Sequence, residues 1–247
     1  MDIFPVAAIA FVFAGFVKGV LGFGYPIIAL VVLTLSIGLM DALAIIVVPT
    51  FVVNLWQALA GPHLSAIIRR MWPYYLPAML GILVASRYLT LVNVNWLTGL
   101  LGTLLFFYAL SALFNLHIAP PGRHERLLSL LLGFGNGLLT GFTGSFMVPS
   151  VLYMQALGFN KDMLVQAMGT FFGLSTLMLM VSLGHNGLIS LQDGATSAVA
   201  LVPSFIDITL GRRARERIDE AQFRKLFLLG VLLLGAYIAW RSATSLN

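Results

Sequence analysis

The stretch GFVKGVLGFGYP, from Gly15 to Pro26, interrupts an apolar run near the start of the chain. Glycine and proline weaken helices, and a lysine side chain is costly inside a lipid bilayer. A break of this kind is tolerated at membrane depth only where it is buried in protein or lines a wet cavity. The stretch therefore predicts a discontinuous helix, and the break asks for a functional explanation.

The composition of the whole chain indicates an all-α polytopic membrane protein. Of 247 residues, 60% are hydrophobic and 9% are charged, whereas soluble domains carry about 25% charged residues. Apolar runs of roughly 20 residues recur, each long enough to cross the ~30 Å hydrocarbon core. Cysteine is absent, which excludes disulfides, thiolate metal sites and cysteine catalysis. The net charge of +5 comes from basic residues in short loops, so topology explains it better than a nucleic-acid partner does.

Hydropathy predicts ten apolar segments. The second, sixth and seventh have only about 11 to 16 residues and cover ~17–24 Å, which is short for a membrane crossing. The ten segments are 3–21, 25–36, 41–60, 72–91, 95–116, 127–142, 145–158, 162–184, 188–210 and 222–243.

Loop charges set the predicted orientation, because cytoplasmic loops are enriched in Lys and Arg. The connections near 36–41, 92–95 and 185–193 have neither residue. All basic connections fall on the cytoplasmic side only under two conditions. Segments one and two must form a hairpin that enters and leaves on the outer side, and segments six and seven must form one that enters and leaves on the inner side. Both termini then face outward. The cytoplasmic basic residues are Arg69, Arg70, Arg123, Arg126, Lys161, Arg212, Arg213, Arg215, Arg217, Arg224 and Lys225.

The two halves, 1–117 and 126–247, share one plan of a broken-helix hairpin followed by three spans, inserted in opposite orientations. Inverted repeats with interrupted helices at matching positions point to a secondary transporter. The alternative is that glycine-rich helices simply pack closely. Matching residues recur 118 to 120 positions apart: Gly15 with Gly133, Gly19 with Gly137, Gly24 with Gly144, and Thr50 with Thr170.

The breaks predict an anion site formed by two helix N-termini, with free amides at about residues 24–27 and 144–147. A helix N-terminus carries roughly half a positive charge and binds anions. Lys18 lies one turn before the first break and could add charge to the same ligand; the alternative is a lysine that snorkels to the interface. The predicted substrate-binding residues are Lys18, Gly22, Gly24, Tyr25, Thr50, Asn54, Thr140, Gly141, Thr143, Gly144, Ser145 and Thr170.

Each polar candidate also has a structural interpretation. The hydroxyls near the second break could bond to their own helix. Thr50, Asn54 and Gln57 on the third segment, and Gln166, Thr170 and Ser175 on the eighth, could make interhelical hydrogen bonds instead. Asp207 is a candidate for proton coupling, with pairing to Arg212 or Arg213 as the alternative. The four histidines form no metal set, and no cofactor is predicted.

At these residues the chain resembles the sulfite exporter TauE/SafE family of bacterial anion permeases. The resemblance rests on GVLGFGYPIIAL and GLLTGFTGSFMVPSVL, on the spans DALAIIVVPTF and DMLVQAMGTFFG that follow them, and on the last loop and helix. It implies transport of small, mostly sulfur-containing anions such as sulfite, sulfoacetate or related organosulfonates. It also implies a bacterial inner membrane, which puts both predicted outward termini in the periplasm. The first break, GFGYP, departs from the family's usual run of glycines, which leaves the substrate open.

Other classes remain to be separated. A channel for anions or small solutes can also use broken helices, and a structural membrane subunit would bind no anion on its own. An intramembrane hydrolase is disfavoured, because the chain has no G-x-S-x-G elbow and no H-E-x-x-H motif. The expected mechanism is rocking of the two repeats around a shared site, giving export or proton-coupled flux. The sequence does not fix the oligomeric state.

Overall fold

The computed structural model describes residues 3–21, 24–116, 118–188, 214 and 219–245. Residues 189–210 of the predicted ninth segment lie outside these ranges, as do the site candidates Gly22 and Asp207. Within the described ranges all regular structure is helical, with nine α-helices and one 3₁₀ turn at Gly122–His124. The helices are α1 Ile3–Leu21, α2 Tyr25–Ile37, α3 Leu39–Leu59, α4 Leu64–Tyr88, α5 Val94–Leu113, α6 Glu125–Thr143, α7 Ser150–Ala156, α8 Lys161–His185 and α9 Glu220–Thr244.

Four of these helices are long and apolar enough to cross a membrane: α3, α5, α8 and residues Ala221–Thr244 of α9. Shorter apolar helices cover Ala7–Leu21 and Tyr25–Ile37, the predicted first hairpin. α4 has 25 residues but is not among the four helices that are apolar enough to cross a membrane. Its tyrosines and prolines lower the mean hydropathy of its apolar half. The protein is therefore an integral membrane protein of the polytopic helical class.

The chain forms two compact units that are interleaved along the sequence. The first comprises Met1–Pro49, Asn93–Asn115 and Leu188–Asn247; the second comprises Thr50–Val92 and Leu116–Gly187. These units do not follow the two sequence halves, and one division falls inside α3, after Pro49. The division into repeats 1–117 and 126–247 thus remains a prediction about sequence ancestry.

In the first unit, α5 and α9 pack in antiparallel fashion through glycines. A side chain at Gly102 would lie 2.5 Å from the Ala239 amide nitrogen, and one at Gly235 would lie 2.7 Å from that of Phe106. Since real side-chain carbons do not approach so closely, only glycine allows this helix spacing. α1 packs against α2, and the Phe11 ring stacks on Tyr25 with centroids 6.2 Å apart.

In the second unit, α4 and α6 run parallel in close contact, and α4 also packs on α8. Three α6 glycines, spaced four apart, each face the α4 backbone: Gly133 at Tyr74, Gly137 at Ala78 and Gly141 at Ile82. The spacing matches one helix face, since residues four apart lie above one another. The alternative of close packing through glycine is thereby confirmed for this helix.

Two helix starts differ from the sequence prediction. α4 begins at Leu64, eight residues before the predicted 72, because its first turns bury Ile67 and Met71 while Arg69 stays exposed. Hydropathy detects only the apolar part of such a helix. α7 begins at Ser150 rather than near 145, because Gly144 adopts φ 70° and ends α6. The residues between follow a non-helical path.

Candidate anion-binding site

Lys18 lies in the last turn of α1, just before the first break. Its side chain is only 8% exposed, so it is buried in the protein rather than extended to the surface. α2 begins at Tyr25 with Pro26 in its first turn, where a missing amide hydrogen costs nothing. The predicted start of the first return helix is therefore confirmed. The first break thus joins a buried lysine side chain to a helix N-terminus within one unit.

Gly24 is the residue that turns the chain between α1 and α2. Its φ of 96° lies in the left-handed region that favours glycine. A side chain there would also crowd Val17 at 3.3 Å and Phe227 at 3.2 Å. Beside it, Tyr25 is fully buried. Gly24 and Tyr25, both predicted site residues, therefore have structural roles at the start of α2 in addition to any contact with a ligand.

The second break differs from the prediction, since Gly144 to Met147 precede α7 instead of forming its first turn. The Gly144 amide donates to the Thr140 carbonyl at 2.7 Å, and the Ser145 amide donates to Thr143 Oγ1 at 3.2 Å. The prediction of free amides over residues 144–147 is therefore wrong for Gly144 and Ser145. α7 has seven residues, which leaves little helix dipole to attract an anion.

Hydroxyls near the second break are engaged within the hairpin. Thr143 Oγ1 donates to the Leu139 carbonyl at 2.7 Å, and Thr140 Oγ1 lies 3.1 Å from both Asn136 Oδ1 and the Ser145 carbonyl. Thr170 on α8 likewise bonds to the Gln166 carbonyl at 2.9 Å. Thr140 and Thr143 therefore stabilise their own hairpin, as the structural alternative predicts, whereas Thr170 bonds within α8 instead of to a neighbouring helix.

Asn136 organises this hairpin, and the sequence-based list of site residues missed it. Its Nδ2 donates to Tyr74 Oη at 2.8 Å and lies 3.4 Å from the Phe146 carbonyl. The Tyr74 ring stacks on Tyr153 with centroids 5.3 Å apart. Asn136 is fully buried. A polar residue inside the glycine run GFGNG was the available signal, but its partner on α4 lies 62 positions away.

α3 and α8 are joined by two glutamines. Gln57 Nε2 donates to the Val165 carbonyl at 2.7 Å. Gln166 Nε2 donates to the carbonyls of Ala58 and Gly61, both at 2.7 Å, while its Oε1 accepts from the His63 amide at 2.9 Å. Gln166 therefore satisfies backbone groups that the end of α3 leaves open. Interhelical hydrogen bonding, the structural alternative, is confirmed for both glutamines.

Two buried hydroxyls on the same helix pair are different. Thr50 Oγ1 on α3 and Ser175 Oγ on α8 have no hydrogen-bond partner among the residues that the structure describes, and both side chains are fully buried. Asn54, one turn after Thr50, is also buried, with 1% exposed. Buried hydroxyls without partners, such as those of Thr50 and Ser175 in the described part of the chain, are uncommon in native proteins and call for an explanation. This part of α3 and α8 is the best candidate for ligand donors in the second unit.

One end of the second unit gathers its basic connections. Arg70 makes a two-pronged ion pair with Glu125, with nitrogen–oxygen distances of 2.8 and 2.9 Å, and donates to the Leu157 carbonyl at 3.2 Å. Its guanidinium also lies 4.9 Å from the Phe159 ring centroid. The hydrogen bond from Arg70 holds the pKa of Glu125 below its usual value. The α6–α7 hairpin therefore leaves from and returns to the end at which α4 begins.

The same geometry bears on sidedness within this unit. Three connections predicted to be cytoplasmic, before α4, α6 and α8, meet around Arg70. Near the other end of α4, Asn186 donates to the Ser86 carbonyl at 3.2 Å, which brings the predicted external connection after α8 to the last turn of α4. The side of the membrane on which each end lies stays a prediction.

These features define a polytopic membrane protein with broken helices, and among the described residues no group of three His, Asp or Glu could hold a metal ion. Residues 7–238 match the profile of the sulfite exporter TauE/SafE family, so the chain belongs to that family. It is therefore a membrane transporter of sulfur-containing anions. No curated protein matches the chain. No solved structure matches it either.

Proposed function

We propose that this transporter exports small sulfur oxyanions, such as sulfite, sulfoacetate or related organosulfonates, across a bacterial inner membrane by alternating access. The observation that carries the proposal is the burial of Lys18 in the last turn of α1, next to the first break. A lysine inside an apolar membrane helix is rare and marks a functional site by default. A transported anion is the ligand that membership of the family suggests for it.

The direction follows from membrane electrostatics. A negative-inside potential favours anion efflux by ~2.3 kcal/mol per charge per 100 mV. Export therefore needs no coupling ion, whereas import would need protons or sodium. If a proton is coupled, Asp207 is the proposed carrier.

The proposed binding site combines both broken hairpins. Lys18 supplies charge, the α2 N-terminus supplies amides around Gly22, Gly24 and Tyr25, and Thr50 with Asn54 supplies polar groups from α3. The duplicated sequence plan adds residues of the second hairpin to the proposed site. Its residues are Thr140, Gly141, Thr143, Gly144 and Ser145, with Thr170 adjoining on α8. Convergence of the two hairpin tips rests on the duplicated sequence plan.

The proposed topology places the termini in the periplasm and the basic connections in the cytoplasm. The repeats 1–117 and 126–247 would then be inserted in opposite orientations. The gathering of three basic connections around Arg70 supports this assignment for the second unit. Rocking of two inverted repeats about one site is the motion that such folds use for alternating access.

Flux in proteoliposomes tests the proposal. Labelled sulfite and sulfoacetate are followed in the wild type, in Lys18→Ala and in Lys18→Arg, with and without a pH gradient. We expect saturable flux that Lys18→Ala lowers by about tenfold or more, because one hydrogen bond to a charged group is worth that much. Lys18→Arg keeps the charge and is expected to retain part of the flux.

The matched control is Lys161→Ala, which removes an exposed lysine at the start of α8. It is expected to leave flux unchanged. Saturable flux that is equal in the wild type and in Lys18→Ala would support the transporter function but show that Lys18 is not part of the binding site. Flux that never saturates would favour a channel, and absence of flux for every sulfur anion would contradict the proposal.

A further inference from the structure

The α3–α8 pair has a well-defined register in the second unit. A side chain at Gly173 would lie 3.6 Å from the Leu55 amide nitrogen, and one at Gly169 would lie 3.0 Å from that of Ala58. As positions rise along α3, their neighbours on α8 fall, so the helices run antiparallel. Continued past Gly173, this register places Thr50 level with residues 177–178 of α8, within one turn of Ser175.

Most buried hydroxyls of this unit have an internal acceptor. Thr170 and Thr176 on α8 donate to carbonyls four residues earlier, at 2.9 and 2.6 Å, and Thr143 does the same on α6. This local bond is the easy solution for a hydroxyl on an apolar helix. Thr50 Oγ1 and Ser175 Oγ do not use it and have no other acceptor in the described part of the chain.

The position of these two hydroxyls separates them from the other unpartnered ones. Thr34 and Ser182 also lack acceptors among the described residues, but each lies within four residues of the end of its helix. Thr50 and Ser175 lie well inside α3 and α8, at full burial. A hydroxyl is a donor, and a buried donor gains most from a charged acceptor in the same low-dielectric surroundings.

We propose that Thr50 Oγ1 and Ser175 Oγ donate hydrogen bonds to the oxygens of the SO₃ group of the transported anion. The inference rests on the proposed function and specifies which chemical group of the substrate these two hydroxyls contact. A pyramidal SO₃ group offers three oxygens, so it can accept from two neighbouring helices at once. Full burial of both hydroxyls means that this contact is made when the site is closed to solvent.

The test compares Thr50→Val and Ser175→Ala with Thr176→Val, a fully buried threonine whose hydroxyl is already used within α8. KM for sulfite and for sulfoacetate is measured in proteoliposomes, and thermal melting is measured in detergent with and without sulfite. We expect the first two changes to raise KM by about tenfold or more, the effect of losing a charged hydrogen bond. Thr176→Val should leave KM within about twofold.

Melting of the anion-free protein separates binding from folding. Removing a donor that lacks an acceptor should leave the melting temperature unchanged or raise it, whereas the rise in melting temperature caused by sulfite should shrink. Thr50→Ser and Ser175→Thr retain the hydroxyl and are expected to have a lower KM than Thr50→Val and Ser175→Ala. These variants keep the test decisive if either truncated protein fails to fold.

Saturable wild-type flux with unchanged KM in both truncated variants would overturn this inference and leave the proposed function standing. Lower stability with unchanged KM would have the same meaning, since it would point to a structural bound water. No saturable flux in the wild type would instead overturn the proposed function, and this inference with it.

Discussion

At the scale of single residues, polar side chains in these apolar helices divide by partner. Gln57 and Gln166 fasten two helices together. The Thr170 hydroxyl bonds to a carbonyl of its own helix. The hydroxyls of Thr50 and Ser175 bond neither to their own helix nor to another described residue. The sequence predicted that all of these positions are polar and inward-facing. It could not predict their roles, because the acceptors of Gln57 and Gln166 lie more than 100 positions away along the chain.

Gln166→Ala tests the fastening role. The side chain is 2% exposed and satisfies the Ala58 and Gly61 carbonyls and the His63 amide. Leaving a buried polar group without its partner costs about 1–3 kcal/mol. We expect the free energy of unfolding to fall by an amount in that range or above, because three backbone groups lose their partner. The melting temperature in detergent should fall accordingly.

Gln155→Ala is the control for this change, because Gln155 is an exposed glutamine on α7. Its melting temperature should stay near the wild-type value. Equal melting for both variants would show that Gln166 does not hold the end of α3.

At the scale of helices, glycine explains both the breaks and the packing. The glycine-rich stretches predicted two broken hairpins, and helices α1 and α6 end at these stretches. Only the structure shows that Gly133, Gly137 and Gly141 face α4. A glycine in such a sequence can either break a helix or allow close helix packing. Only its contacts with a helix that is distant in sequence show which of the two it does. The late start of α7 escaped prediction for a related reason, because residues 145–149 are apolar without being helical.

Gly137→Ala tests the close contact of α4 with α6. The added methyl group would meet the carbonyl and Cα of Ala78, which are backbone atoms and cannot move without parting the helices. Overpacking of this kind typically costs about 1–3 kcal/mol. A clear drop in melting temperature is therefore expected.

Gly135→Ala provides the comparison on the same helix. A side chain there would meet no atom within 4 Å, and alanine favours a helix over glycine by about 1 kcal/mol. Its melting temperature should be unchanged or higher. The packing account would be refuted if Gly135→Ala were the more damaging of the two.

At the scale of the whole molecule, charge and duplication are the informative patterns. Loop charges predicted that three connections of the second unit lie on one side, and these meet around Arg70. The interleaving of the two compact units was not predictable from hydropathy. It depends on which helices pair, as α4 does with α6 and α5 does with α9. α3 carries the chain between units, and Pro49 removes one helical hydrogen bond near that point.

Alternating access is the central claim, and sulfite counterflow tests it most directly. Proteoliposomes loaded with unlabelled sulfite are diluted into a trace of labelled sulfite, with no imposed potential. A carrier that exposes one site alternately should exchange the two pools, so that label accumulates transiently above its equilibrium level and then declines. Label that rises only to equilibrium, at a rate that does not saturate with sulfite, would contradict alternating access and identify a channel.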